Sequence, residues 1–454
     1  MINETMFREY DIRGLAETEL SDPVVERIAN AVAAVYVREG KKDIAVGMDG
    51  RPSSPRIKEL FSRTLARYGL QVTDLGLTPT PVVYFACFQH KMGGAVIITA
   101  SHNPSEYNGF KIMLGNAALY GDQIKELYRL ACDGPFPSEI KGSIIQKDIL
   151  PEYLEYIEKN IRLKKKIRVV VDAGNGTGGI TAPDLYRRLG AEVIPIYCDV
   201  DGRFPNHHPD PTVAKNLQDM IAKVKETGAD LGIGLDGDAD RIGVVDNLGR
   251  ILWGDQLLVI YARDILREHP GATIISEVKA SEVLYAEIKK HGGVPIMWKA
   301  GHSLIKQKLF EEKALAAGEV SGHVFFNDKW FGFDDAVYAG ARLMEILSGT
   351  DSSLAEIFDS IPQVFNTPEI RIDCGDDIKF RVVDAVRDHF KKLLPVIDID
   401  GARIKFPRGW ALVRASNTQP ALVVRYEADS QGEMERIQAE VDKVIRRVQA
   451  EIRR

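Results

Sequence analysis

Cysteine is scarce in this chain: there are four in 454 residues, Cys87, Cys132, Cys198 and Cys374, far apart and with no C-x-x-C pair. That excludes a disulfide-built scaffold and a thiolate zinc centre, and it fits a reducing compartment with four plain core thiols. Basic charge is not in excess. A net charge of −6 offers no cationic face for releasing phosphate counterions, so nucleic acid is not an expected partner. Long apolar runs are missing as well. "PVVYFACF" is too short to span a bilayer, and the opening "MINETMFREYDIRG" lacks the basic-then-apolar order of a signal peptide. No membrane association and a cytoplasmic location are therefore expected. Hydrophobic content of 45% and charged content of 27% are those of a folded globular protein.

A chain of this length exceeds one hydrophobic core, and roughly three to four domains are expected. Through the first 330 or so residues one unit recurs: a short Val/Ile-rich run, a glycine-bearing loop, then an amphipathic stretch. "DIAVGMDGR" (43–51), "GGAVIITASHNP" (93–104), "IRVVVDAGNGTGG" (167–179), "ADLGIGLDGDADR" (229–241) and "GATIISEVKAS" (271–281) are its instances. Such alternation indicates α/β units with buried sheets, whose ligands gather beyond the strands' carboxyl ends. Pro/Gly-rich breaks at 133–143 and 361–369, and the weaker "NLGR" ending at 250, divide the chain into 1–147, 148–250, 251–364 and 365–454. The last part differs. "DIDGARIKF" and "WALVRASNTQPALVVRYEA" read as strands around turns. A closing helix then carries Ser430 and Glu433 at capping-box spacing and a face of Met434, Ile437, Val441, Val444, Val448 and Ile452.

Four peptides carry chemistry. In "GLDGDADRIGVV", Asp236, Asp238 and Asp240 would repel one another unless a cation sat among them, and a hard divalent ion such as Mg2+ suits three carboxylates. An EF-hand is excluded, because Arg241 and Asn247 stand where its glycine and glutamate are required. In "TASHNPSEYNGFKI", Ser101 is a candidate nucleophile at a strand end. No G-x-S-x-G elbow is present, and adjacent His102 is expected to point elsewhere, which disfavours acyl transfer. Phosphoryl chemistry fits better, since a phosphate on Ser101 would itself offer the metal an anionic oxygen. In "AGEVSGHVFF", Glu319, Ser321 and His323 would share a face if the peptide were extended, able to hold sugar hydroxyls. In "VRASNTQP", Arg414 with Ser416, Asn417 and Thr418 suits a phosphate. Against these stands "VVVDAGNGTGG", whose Gly174, Gly176 and Gly179, with Asp199 downstream, imitate a dinucleotide fingerprint. A dehydrogenase would leave Ser101 and the carboxylates without a task, so these glycines read as a helix-capping turn.

Taken in order, "TASHNP", "GLDGDADR", "GEVSGH" and "RASNTQP" resemble the α-D-phosphohexomutases, specifically the phosphomannomutase/phosphoglucomutase group, along essentially the whole chain. The resemblance implies three related mixed-sheet α/β domains and a C-terminal α+β domain like the TATA-binding protein, around a central cleft to which each gives one loop. It implies a phosphoserine at Ser101 and Mg2+ held by Asp236, Asp238, Asp240 and the serine's phosphate. It places sugar readers at Glu319 to His323, including Val320, Ser321 and Gly322, and a distal phosphate site from Arg414 through Ala415, Ser416, Asn417 and Thr418. Tyr10, Arg13, His102, Lys111, Arg241, Lys279 and His302 match further cleft positions, with Lys111 or His302 as proton exchanger. The implied activity is reversible phosphoryl transfer between O1 and O6 of mannose or glucose phosphates, through a hexose 1,6-bisphosphate such as glucose 1,6-bisphosphate. A glucosamine-phosphate mutase, a phosphosugar phosphatase and a non-catalytic phosphosugar sensor are the alternatives. Whether the protein is a monomer or a homo-oligomer is not readable from the residues.

Overall fold

The computed structural model describes residues 2–134, 140–416 and 420–453. Within them, three mixed sheets follow one another along the chain and an antiparallel sheet comes last. The first is ordered Ile12–Leu15, Tyr107–Leu114, Gly94–Ile98, Asp43–Met48, Gln71–Leu77, Ser143–Gln146, with Ala117–Ala118 beside Tyr107–Leu114. "GAVII" is unbroken in its hydrophobicity because its strand is covered on both faces. Side chains alternate across the pleat. Ile44, Val46, Val96 and Ile98 pack with the helices Asp22–Arg38, Ser54–Arg67 and Asp122–Asp133, while Ala45, Ala95 and Ile97 face the other way. That second face, with the almost wholly apolar helix Thr80–Gln89, joins a core continuous through Tyr153, Ile233, Leu257 and Trp330. The first three sheets therefore share one hydrophobic interior on one face of each, while their other faces keep separate cores.

The second sheet runs Ile251–Leu252, Ile242–Asp246, Leu231–Leu235, Arg168–Asp172, Glu192–Ile196, and the third Val294–Trp298, Thr273–Glu277, Ala316–Gly318, Val324–Phe326. The fourth, antiparallel throughout, is built on Ala402–Phe406, Gly409–Ala415 and Ala421–Ala428 and covered by the helices Lys379–Phe390 and Gln431–Ile452 around its own core. One regularity positions the site. Residues 99–106 join the antiparallel neighbours Gly94–Ile98 and Tyr107–Leu114; residues 236–241 join Leu231–Leu235 and Ile242–Asp246; residues 319–323 join Ala316–Gly318 and Val324–Phe326. In the fourth sheet, Gly409–Ala415 and Ala421–Ala428 are likewise antiparallel neighbours. The first three motif peptides are thus hairpin connections, and the described part of the fourth lies at the end of one strand of such a pair.

Several local expectations change. "NLGR" is the turn between Ile242–Asp246 and Ile251–Leu252, so the second sheet continues past 250 to Leu252. The break at 133–143 precedes Ser143–Gln146, which pairs in parallel with Gln71–Leu77 and so belongs to the first sheet. Ser430 is the N-cap of the last helix but makes no side-chain cap bond, and Glu433 is turned instead to Arg436 at 2.8 Å. Met434, Ile437, Val441, Val444 and Val448 are buried on that helix as its periodicity predicts. Cys87 and Cys374 are buried free thiols, whereas Cys132 and Cys198 are half-buried.

Candidate active site

Ser101 occupies the left-handed region, φ +50°, and is buried. For a residue with a Cβ this conformation costs about 1–2 kcal/mol, so surrounding contacts must hold it. Ser101 N–H donates to Thr99 Oγ1 at 2.8 Å, and the Arg51 guanidinium donates to the Ser101 carbonyl at 2.8 Å. A single hydrogen bond to a charged group contributes about 1.5–3 kcal/mol, enough to offset the strain. Ser101 Oγ donates to Asp236 Oδ2 at 2.7 Å, across 135 positions of sequence. His102 does not point away as expected: its Nδ1 lies 3.0 Å from Ser101 Oγ. Because the serine proton is committed to Asp236, His102 meets that oxygen as a donor and not as a base. Burial, with Arg241 and Arg13 nearby, holds His102 well below the usual imidazole range. Arg13 braces the loop from outside, donating to Asn103 Oδ1 at 2.7 Å and pairing with Asp11.

Asp236, Asp238 and Asp240 are fully buried, with one oxygen of each within 4.8 Å of the others. Two such carboxylates repel by about 4 kcal/mol at an effective dielectric of 20. Burial first, then Asp240 and Asp238, push the Asp236 carboxyl well above its ordinary range. Lys111 Nζ offsets part of this, donating to Asp238 Oδ2 at 2.6 Å and to Asp240 Oδ2, while Thr80 Oγ1 donates to Asp238 Oδ2 at 2.6 Å. Burial alone would favour neutral Lys111, but Asp238 and Asp240 outweigh it and hold the ammonium well above its usual range. One cation among three carboxylates is incomplete compensation. Asp238 Oδ1 and Asp240 Oδ1 are buried without a hydrogen-bond partner among the described residues. An all-oxygen set with two orphaned acceptors fits a hard divalent cation. Gly176 owes its identity to this loop: a Cβ on it would stand 2.7 Å from the Gly237 carbonyl oxygen, whereas Gly174 is crowded by Pro209 and Gly179 by the Cys198 carbonyl. Of the dinucleotide-like glycines, Gly176 therefore admits the acidic loop's backbone, and it precedes the short helix Thr177–Ile180.

Arg241 links this loop to the third domain. Its Nε–H donates to His323 Nε2 at 2.9 Å, so the imidazole proton sits on Nδ1, which lies 3.0 Å from Asp334 Oδ2. His302 Nδ1 is 3.5 Å from the same oxygen, Lys306 Nζ is 2.8 Å from the other, and the two imidazoles stack at 5.2 Å. Asp240, His323 and Asp334 are close enough to ligate a metal. With its proton on Nδ1, His323 offers a metal no lone pair on that side and stands between two carboxylates at 3.9 and 3.0 Å.

"GEVSGH" is not extended. Gly322 N–H donates to the Glu319 carbonyl at 3.0 Å and Gly322 has φ +88°, closing a tight turn. Glu319, Ser321 and His323 therefore do not share a strand face. Glu319 Oε1 accepts from Gly301 N–H at 2.7 Å, and Val320 N–H donates to Glu277 Oε1 at 3.2 Å. Tyr10 reaches in from the first domain, its hydroxyl on the Ala300 carbonyl at 2.8 Å and its ring against His302. Lys279 lies 3.4 Å from Glu277 and 2.8 Å from Glu369, and Arg414 lies 3.0 Å from Asp400, which also accepts Ala300 N–H. Ala415 and Ser416 are buried beside them, and Lys379 donates to the Ser416 carbonyl at 2.6 Å. Asn417 and Thr418 lie outside the described residues.

Arg51, Thr80, Glu277, Asp334, Glu369 and Asp400 escaped the sequence reading. Only Arg51, in the strand-end peptide "DGR", carried a signal that could have found it. Glu369 yields a pH test. Lys279, more than any other group, pulls its carboxyl down to about 2. A carboxylate with a depressed folded pKa adds stability that is complete above its unfolded value, about 4.3, and is lost as pH falls from there toward 2. Glu369→Gln is expected to lose the corresponding part of the acid-induced fall in Tm between those limits and to lower Tm modestly at pH 7, as melting curves across pH will show.

All four domain models of the phosphoglucomutase/phosphomannomutase family match in order: α/β/α domain I at 4–134, domain II at 151–249, domain III at 253–365 and the C-terminal domain at 369–444. A phosphomannomutase/phosphoglucomutase of Pseudomonas syringae pv. tomato is 46% identical over 98% of this chain and 96% of its own. A phosphoglucomutase of Neisseria meningitidis serogroup A is 46% identical over 98% and 97%. The crystal structure of a phosphoglucomutase/phosphomannomutase family protein from Burkholderia thailandensis superposes with a TM-score of 0.94 at 40% identity, covering 99% of this chain and 98% of that one. A serine and an acidic triad brought together from separate sheets, in a chain matched end to end, lead to one conclusion: this chain belongs to the phosphoglucomutase/phosphomannomutase family.

Proposed function

We propose that the chain interconverts the 1-phosphates and 6-phosphates of mannose and glucose, carrying the phosphoryl group on Ser101 and passing through a hexose 1,6-bisphosphate. The observation that carries this reading is the 2.7 Å contact between Ser101 Oγ and Asp236 Oδ2, which brings the hydroxyl to the acidic triad. The relatives at 46% identity, named for mannose and glucose phosphates, support those sugars over glucosamine. The four domains are taken as divided above, with the second extended to Leu252.

Asp236, Asp238 and Asp240 would hold Mg2+, which neutralises negative charge on the transferring group when bound. The chain's own groups do the rest. Lys111 and Arg241 line the transfer point as fixed cations whose charge needs no reorganisation during reaction. Glu319 and Ser321 orient the sugar, while Lys279, Arg414 and the residues through Thr418 take the phosphate that is not reacting. Lys111, held protonated by two carboxylates, is a donor. The one lone pair of His323 Nε2 is already taken by Arg241 Nε–H, so His302 is better suited to receive the proton of the attacking O1 or O6. Both orientations of the bisphosphate must meet the same distal cradle, so its removal weakens binding more than chemistry. Arg414→Ala is expected to raise KM about tenfold or more with kcat within about threefold. A defect confined to kcat would reassign it.

A coupled assay of purified protein with mannose 1-phosphate and glucose 1-phosphate, with and without Mg2+ and trace glucose 1,6-bisphosphate, tests the reading. Turnover that depends on both additions is expected. Sustained release of inorganic phosphate would make the protein a phosphatase, and tight binding without turnover a sensor.

A further inference from the structure

We infer that Arg51 is the positioning residue for the nucleophile, setting the backbone of the Ser101 loop without touching substrate; this rests on Ser101 being the phosphoryl carrier. The side chain has five N–H donors, and every one is engaged. Nη2 donates to the carbonyls of Ser101 at 2.8 Å and Asn103 at 2.7 Å, Nη1 to those of Pro104 at 2.5 Å and Tyr107 at 3.0 Å, and Nε to Asp49 Oδ2 at 2.9 Å. Nothing remains for a ligand. Four carbonyls of one loop converging on one planar cation define the loop's path, including the left-handed turn at Ser101. Asp49 is itself fixed by Ser54 Oγ at 2.6 Å, and the Phe204 ring from the second domain covers the guanidinium at 5.2 Å.

The opposite side of the serine peptide is equally tight. A Cβ on Gly237 of the acidic loop would stand 2.5 Å from the Ser101 carbonyl oxygen, so that carbonyl is enclosed between Arg51 and the acidic loop's backbone. Arg51 thereby determines where Oγ stands relative to Asp236. A lysine has three N–H donors and no planar fork, so it leaves at least one of the four carbonyls unserved and the loop free to shift.

The test is steady-state kinetics on Arg51→Lys and Arg51→Ala, with melting curves and added guanidinium chloride at tens of millimolar. Arg51→Lys is expected to lower kcat by roughly 10²-fold, the size of effect that follows misplacement of a reacting group by about 1 Å, with KM within about threefold. A folded Arg51→Ala is expected to fall further and to regain at least about tenfold in kcat when guanidinium refills the site. The inference is overturned if Arg51→Lys keeps kcat within about threefold of wild type, if the loss appears in KM alone, or if guanidinium leaves a folded Arg51→Ala unchanged. Should Arg51→Ala fail to fold, Arg51→Lys decides. A wild-type protein without mutase turnover would defeat the function reading and this inference with it, a result separable from active wild type with indifferent variants.

Discussion

Ser101→Ala is expected to lower kcat by about 10⁴-fold or more while leaving hexose-phosphate affinity within a few fold. The hydroxyl's neighbours explain the separation. Ser101 Oγ bonds to Asp236 and meets His102, whereas the groups proposed to hold the substrate, Glu319, Lys279 and Arg414, lie on the third and fourth sheets. Removing the oxygen leaves no atom on which the phosphoryl group can rest, yet removes no anchor for the sugar. The backbone is held by Arg51 and Thr99 independently of the hydroxyl, so the loop keeps its path. Turnover by coupled assay and affinity by calorimetry check the two halves separately. Near-normal turnover would sink the assignment of Ser101, and lost affinity would recast the residue as a binding group.

Asp238→Asn should lower kcat by about 10²–10³-fold and raise the Mg2+ concentration needed for half-maximal rate. Asp238 stands at the junction of three demands: its Oδ2 accepts from Thr80 and Lys111, and its Oδ1 is buried and unpartnered among the described residues. An amide of the same shape can still accept through its oxygen. It places two N–H donors where a cation's ligand or the Lys111 ammonium must be met, and it withdraws one unit of negative charge. A neutral substitution also relieves repulsion on Asp236, whose carboxyl is pushed up by burial and its two neighbours, so the carboxyl of Asp236 should move back down. Metal titration of the rate checks the first effect, and melting curves confirm that the variant is folded. An unchanged Mg2+ dependence would count against the acidic loop as the metal site.

Much of the fold could be read directly. Buried strands such as "GAVII" and the "VVV" of 169–171 announce themselves by unbroken hydrophobicity, because covering helices demand it, and the last helix by its 3.6-residue periodicity. An error arose where a local pattern had two readings. "GEVSGH" alternates like a strand but closes on Gly322 as a turn. "NLGR" turns a hairpin, and it also stands where the second family model ends at 249 and the third begins at 253. The G-x-G-x-x-G spacing, read as a helix-capping turn, does lead into the short helix Thr177–Ile180, and what the reading lacked was that Gly176 also gives way to the acidic loop at Gly237.

The residues proposed to carry the reaction, Ser101 and the three aspartates, were legible in the sequence alone, because a hydroxyl at a strand end and three carboxylates in five positions are chemical facts that no folding alters. What holds them was decided only in three dimensions. Asp334, Asp400 and Glu369 are ordinary charged residues in sequence, and each compensates a charge that arrives from another segment, Lys306, Arg414 and Lys279; Arg51 does the same for carbonyls some fifty positions on. Electrostatic compensation depends on separation in space and on burial, and neither exists until the sheets have packed.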